Sequence, residues 1–244
     1  AIQAAREAAR RANCASNLKQ LGNGIMLYAD RNTEQVVPFG AGQAAYAHSW
    51  IALMWPVMDN EPSFRQLTIL TDAEVAPNAA LHAAFRSPAL TCPTRGFRTN
   101  TLYGTAQCTD YVAVTMSDIP TNWANTPSVW AGTADYLNGP ILGPGLNVSA
   151  TNPVVRSKVS IGSVSDGMAY TAFAGEKHVT PTTIGTNYTD GPPAPGMAWA
   201  DHYYGGIRVT GLGLAPRPDT PALTASFTTD NLNTTPSPLH SLSF

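Results

Sequence analysis

AIQAAREAARRANCASNLKQLGNGIMLYAD, residues 1–30, is the stretch on which the reading of this chain turns. Cys14, Leu18, Leu21, Ile25 and Tyr28 recur at intervals of 4, 3, 4 and 3, which sets them on one stripe of an α-helix able to cover a globular core. The stripe begins at Cys14. Upstream, Ala1, Ala4, Ala5, Ala8, Ala9 and Ala12 keep helix propensity high without any bulky core-facing side chain, and Arg6, Glu7, Arg10 and Arg11 interrupt any continuous apolar face. The helix is therefore expected to leave the core and protrude. Leu18, Leu21 and Ile25 are expected to hold it to its own domain, while Ile2, Ala5, Ala9 and Ala12 are better placed for a neighbour.

Beyond residue 30 the pattern changes. RNTEQVVPFGAGQ, from residue 31, reads as a loop, AHSWIALMWPVMDN as an apolar segment forming a short helix ended by Pro56, and EPSFRQLTIL with DAEVAPNAALHAAF as a short helical hairpin broken at Pro77. From Pro88 onward, CTDYVAVTM, PILG, SKVSIGSV, YTAFAGEKHV, GIRVTGLGL and ALTASFTT are short β-type runs bounded by Gly, Pro, Asn or Asp. Helices first and strands later predict an α+β domain: a helix over residues 1–30 packed on an antiparallel sheet in a β-rich head over residues 31–244. The stretches 118–153 and 178–221 are long and rich in Pro, Gly and Thr, as loops that carry contacts commonly are.

A long N-terminal helix leading into a small β-rich domain resembles the plan of type IV pilins and secretion-system pseudopilins. QAAREAARRANCASNLKQLGNGIMLYAD more closely resembles a large prepilin-like family abundant in planctomycetes, whose function is mostly unassigned. Ser49-Trp50 followed by LMWPVMDNEPSF, LTCPT at 90–94, Thr109-Asp110-Tyr111, NGPI at 138–141 and IGSVSDGMAYTAFAGEK at 161–177 are similar to further blocks of that family, so the resemblance spans residues 1–177. In the family the helix follows a prepilin cleavage site and an apolar stretch of membrane-spanning length. Neither precedes Ala1, so the resemblance implies a trimmed chain whose precursor is anchored in the inner membrane. The family's C-terminal histidine and Asp-Gly block is absent where HSLSF ends the sequence, which implies a missing final strand or hairpin.

Composition agrees with a secreted surface protein. Of 244 residues only 12% are charged, with 20 Gly and 20 Pro supplying turns, and the net charge of −2 gives no electrostatic case for nucleic acid. Residues 1–11 nevertheless carry three Arg and one Glu. This basic collar is suited to anionic lipid headgroups or to acidic groups of a neighbouring subunit. The alternative is a solvated face with a Glu7–Arg11 pair contributing a few tenths of a kcal/mol.

Three cysteines leave an odd one. Cys92 and Cys108 bracket a polar loop, PTRGFRTNTLYGTAQ, and a disulfide closing it would contribute roughly 3 kcal/mol on the chain-entropy model in an oxidising compartment. The other reading of this pair is two buried thiols in adjacent strands. Cys14, on the core stripe, reads as a small buried hydrophobe, and no cysteine pair has zinc-site spacing.

Enzymatic chemistry finds little footing. Asp166, Glu176, Lys177 and His178 are the best acid–base cluster by proximity, but an Asp-Gly turn followed by a strand-end Glu is more often turn and capping chemistry. Gly162-Ser163-Val164-Ser165 lacks nucleophile-elbow spacing, and Gly22-x-Gly24 lacks the third glycine and preceding strand of a dinucleotide loop. His48, His82, His178, His202 and His240 show no paired metal spacing, so neither a metal nor a cofactor is expected.

AWADHYYGG, residues 198–206, offers Trp199, His202, Tyr203 and Tyr204 as a platform for a sugar ring or a neighbouring subunit, with Trp123 and Trp130 in another long loop able to add to it. The alternative is that these aromatics pack loops onto the sheet. Asn147, Asn187 and Asn233 head short glycan-acceptor patterns. The expectation is a non-enzymatic structural subunit of a surface filament, self-associating through its N-terminal helix in an open head-to-tail interface. A membrane-anchored pseudopilin of a secretion machine and a surface glycan-binding module are the alternatives. Abundance in sheared surface material separates the first two, and a glycan array addresses the third.

Overall fold

The computed structural model describes residues 2–37, 40–41, 48–58, 61–67, 86–99, 107–117, 137–138, 148–149, 152–153, 159–177, 184 and 207–210. One helix, α1 (Ile2–Arg31), runs for 30 residues, about 45 Å at the usual rise. Its stop is built locally. Asn32 donates through both its backbone N–H and its side-chain amide to the Tyr28 carbonyl, at 3.0 and 2.8 Å. Thr33 and Glu34 then adopt left-handed φ of 55° and 63°, and the Glu34 N–H reaches back 2.8 Å to the Ala29 carbonyl. Non-glycine residues disfavour this region by about 1–2 kcal/mol each. The reversal lets Val36 and Val37, both fully buried, turn under the helix.

The stretch after residue 30 is thus more than a loop. Gln35 bridges Ser160 in antiparallel fashion, the Val36 N–H donates to the Val159 carbonyl at 2.9 Å, and the Ile161 N–H donates to the Glu34 carbonyl at 2.9 Å. A buried backbone needs such partners, and the two valines draw this one inside.

Next come the two-residue strands β1 (Gly40–Ala41) and β2 (His48–Ser49), which pair antiparallel. They lead into α2 (Trp50–Met54), a 3-10 turn (Trp55–Val57) and α3 (Glu61–Leu67). Every residue of α2 is buried, as is Trp55. Pro56 sits in the first turn of the 3-10 segment, where its missing N–H costs nothing, so the apolar run passes through it as a tighter turn after α2 ends at Met54. Gly24 on α1 faces this segment. A Cβ there would lie 3.1 Å from the Met58 sulfur and 3.5 Å from that of Met54, so glycine permits the close approach.

The main sheet centres on β3 (Tyr111–Ser117). β4 (Leu137–Asn138) and β7 (Ala174–Glu176) pair with it antiparallel, and β8 (Ile207–Thr210) pairs with it parallel. Ala113 is in register with both Ala174 and Ile207, and Met116 with both Asn138 and Thr210. β4 and β7 therefore share one edge of β3, and β8 occupies the other. The sheet is mixed where an antiparallel one was expected. A parallel partner requires a long crossover, and the chain between β3 and β8 is long enough to supply one. A separate pair joins β5 (Val148–Ser149) and β6 (Asn152–Pro153).

Over their described residues, two β-type runs are shorter than expected. SKVSIGSV gives a bridge at Ser160 and then a 3-10 turn, Ile161–Ser163, because the Ser163 hydroxyl binds back to the Ser160 backbone and competes with a ladder. Among its described residues, 170–177, YTAFAGEKHV contributes the strand β7, and the Asp166-Gly167 that precedes it is an exposed turn with Gly167 at φ 78°. ALTASFTT and the helix expected around Pro77 lie outside the described residues. The fold is α+β, and among the described residues a core is formed by Leu21, Ile25 and Tyr28 of α1, Val36, Val37, α2, Trp55, Leu90, Tyr111 and Ala113.

Candidate functional site

α1 divides at Cys14. Of residues 2–13, all are exposed except Glu7 and Arg10, which are half-covered, whereas Cys14, Leu21, Gly24, Ile25, Tyr28 and Ala29 are buried and Leu18 is partly buried against the core. About 18 Å of helix thus extends beyond the first buried residue. At about 100° per residue, Ala5, Ala9 and Ala12 lie roughly 140–180° around the helix from the middle of the buried stripe. Exposed Leu27 lies on the same outward side, and Ile2 is 70% exposed near the tip. Glu7, Arg10 and Arg11 continue the core-side face instead. Glu7 holds Arg10 at 2.9 Å and Arg11 at 3.4 Å, solvent-accessible pairs of small energetic weight. Among the described residues no helix is long and apolar enough to cross a membrane.

Where the helix meets the head, three different interactions fix it. The first is a disulfide between Cys14 and Cys92, with Cα atoms 5.4 Å apart. This corrects the expected Cys92–Cys108 pairing and the reading of Cys14 as a packed thiol. The reason is the path of the chain around Asp110. The Asp110 N–H donates to the Leu90 carbonyl at 2.8 Å, and its carboxylate accepts from the Cys92 N–H at 2.7 Å, so Cys92 lies beside residue 110. Cys108 is set against Arg98, to whose carbonyl its N–H donates at 3.0 Å. It is fully buried and outside the disulfide.

The second interaction comes from Asn17, one turn from Cys14. Its side-chain amide donates to the Thr91 carbonyl at 3.0 Å and to the Tyr111 hydroxyl at 3.1 Å. The segment after the 3-10 turn Pro88–Leu90 is thereby pinned along the helix, which brings Cys92 to Cys14. Burial pushes the Tyr111 phenol up to about 12, a rise that the Asn17 hydrogen bond partly opposes and the nearby carboxylates of Glu176 and Asp110 reinforce. Burial likewise pushes Tyr28, lower on the helix, up to about 12.

The third is the anchor behind the loop. Asp110 is fully buried, and its carboxylate binds Arg95 at 3.0 Å and Arg98 at 2.7 Å as well as the Cys92 N–H. Removing one member of such a buried cluster typically costs about 3–5 kcal/mol, because the remaining charge stays buried. The Lys177 N–H donates to the Asp110 carbonyl at 2.7 Å, tying the end of β7 to the same point. Beside it, a cleft of about 470 Å³ is lined by Arg86, Pro88, Pro93 and Phe97, with the Arg86 guanidinium 5.1 Å from the Phe97 ring centre.

The other candidates are placed only in part. Asp166 lies in the exposed turn, Glu176 is half-buried in β7, Lys177 is buried, and His178 falls outside the described residues. Trp123, Trp130, Trp199, His202, Tyr203, Tyr204, Asn147, Asn187 and Asn233 also lie outside them. Sequence reasoning missed Asn17 and the Asp110 cluster. A signal was present, since Asp110 is the one acidic residue between positions 86 and 117, among Arg86, Arg95 and Arg98.

A family model described as a protein of unknown function (DUF1559) matches residues 3–240. The chain belongs to this family. The match takes in the protruding helix, the disulfide and the sheet together. No curated protein and no solved structure matches the chain.

Proposed function

We propose that this DUF1559 protein is a structural subunit of a cell-surface, pilus-like filament, assembled by packing the protruding part of α1 against the helices of neighbouring copies. The observation that carries the proposal is the division of one helix at Cys14 into an exposed, alanine-rich half and a half locked into the head. Among the described residues, this length of helix buries none of its side chains. Its small outward side chains, Ala5, Ala9 and Ala12, let helix backbones approach closely, and Ile2 adds apolar area at the tip. Repetition of one non-closing contact generates an open polymer.

The disulfide fits this duty. Lateral load on a protruding helix is borne at its root, and a covalent link there transfers it to the head. The setting is the cell exterior, where disulfides persist.

Ala5→Glu and Ala9→Glu test the proposal. Both sites are exposed and remote from the core, so the circular dichroism spectrum and thermal midpoint should stay at the parent values while fibre formation is lost in electron micrographs. Normal fibres from both variants would refute helix packing as the assembly contact.

A further inference from the structure

The Cys14 and Cys92 sulfurs and a carboxylate oxygen of Glu176 lie within 4.8 Å of one another, contributed by α1, by the segment after Leu90 and by β7. We infer that, when both sulfurs are reduced, Cys14, Cys92 and Glu176 bind one zinc-type divalent cation, with a fourth position left to water. The disulfide and the cation are then alternative occupants of one site.

Geometry supports this first. Tetrahedral zinc, with sulfur at about 2.3 Å and oxygen at about 2.1 Å, sets its ligand atoms about 3.5–3.8 Å apart. Three donors gathered within 4.8 Å need shifts on the order of 1 Å to reach that arrangement. The donor set is also apt, since two soft thiolates with one carboxylate suit zinc and disfavour magnesium or calcium.

Preorganisation is the second support, because the donors are held by interactions that outlast the S–S bond. Asn17 still ties the helix to the Thr91 carbonyl and the Tyr111 hydroxyl, Asp110 still holds the Cys92 N–H, and Glu176 stays in register with Tyr111. Both cysteines are buried, which keeps bulk water from the thiolates. Cys108 is set against Arg98 and takes no part.

The chemistry balances. An external dithiol or phosphine breaks the S–S bond and supplies two electrons, two protons come from the dithiol or from water, and the reductant leaves as its disulfide or phosphine oxide. The cation then displaces both thiol protons to solvent. Reoxidation by a disulfide-forming oxidant restores the covalent link and releases the metal.

The test uses the full chain, reduced anaerobically with a phosphine and titrated with Co(II). One equivalent should produce thiolate-to-cobalt charge-transfer absorption and tetrahedral visible bands, and Zn(II) should bleach both. Glu176→Gln keeps both thiols and should weaken binding at least tenfold, since even an outer-shell partner is worth about 10–100-fold. Cys92→Ser should abolish the charge-transfer band. If reduction unfolds the protein, recovery of the helical dichroism on adding Zn(II) is the expected reading, and failure to recover overturns the inference. Absence of the band in folded reduced protein, or undiminished affinity in Glu176→Gln, also overturns it.

Discussion

Residues 2–13 and 14–31 are halves of one helix, yet they are held helical by different physics. The lower half is helical because its stripe is buried: Leu21 and Ala29 are 0% exposed, and the Cys14–Cys92 bond and Asn17 tie its upper end to the head. The upper half buries none of its residues. It relies on alanine propensity and on extending a helix already nucleated below, which removes the costly first turn. The contrast teaches that local propensity can extend an element beyond its core, whereas stability and attachment come from packing and covalent constraint.

The strongest way to break that contrast is to remove the bond at the division. Replacing Cys14 and Cys92 together by Ser opens a link with a sequence separation of 78, and should cost about 4.5 kcal/mol on the chain-entropy model. Chemical denaturation of the parent and the double variant measures the difference. A loss below about 1 kcal/mol would mean that Asn17 and the core alone set the attachment.

A smaller effect is expected within the lower half. Leu21→Ala should destabilise by about 2–5 kcal/mol through lost burial and a residual cavity, whereas Ala9→Leu in the upper half should change the monomer by no more than about 0.5 kcal/mol. Equal effects at the two sites would erase the division at Cys14.

The next prediction concerns alkaline pH. Tyr28 and Tyr111 are held protonated up to about 12 against an ordinary value of 10.0. The unfolded chain therefore loses these protons first, so their stabilising contribution is complete below pH 10 and declines as pH rises towards 12. Phenolate absorbance of these two residues should appear together with unfolding, and Tyr111→Phe should shift the alkaline transition upward. Ionisation of both near pH 10 with the fold intact would contradict their burial.

Hydrogen exchange distinguishes the two halves of α1 without perturbing the protein. Amides of residues 2–13 should exchange well before those of 18–29, because none of the former is buried. Uniform protection along α1 would show that the upper half is covered.

Legibility from sequence followed the same division. The helix, its stripe and its protrusion could be read because alanine propensity and a 3–4 periodicity are local signals. β3 was legible for a similar reason, as an apolar run after the Thr109-Asp110 turn. The disulfide was not, because loop length favoured the near partner Cys108, while the actual pairing depends on Asn17 drawing Thr91 to the helix and on Asp110 holding Cys92. The parallel placement of β8 was also hidden, since no local pattern specifies which edge of β3 a distant strand will join. Asp110 looked like a strand start, and its role as a buried counter-charge emerges only when Arg95 and Arg98 fold back to it.

Assembly through the protruding helix is decided by electron cryo-microscopy of fibres sheared from the native cell surface, with mass spectrometry of the same material. The expected result is ordered fibres built mainly of this chain, with residues 2–13 packed helix against helix at the centre and the sheet-bearing heads outside. Fibres in which residues 2–13 face solvent, or surface material containing this chain only as scarce single copies, would contradict it.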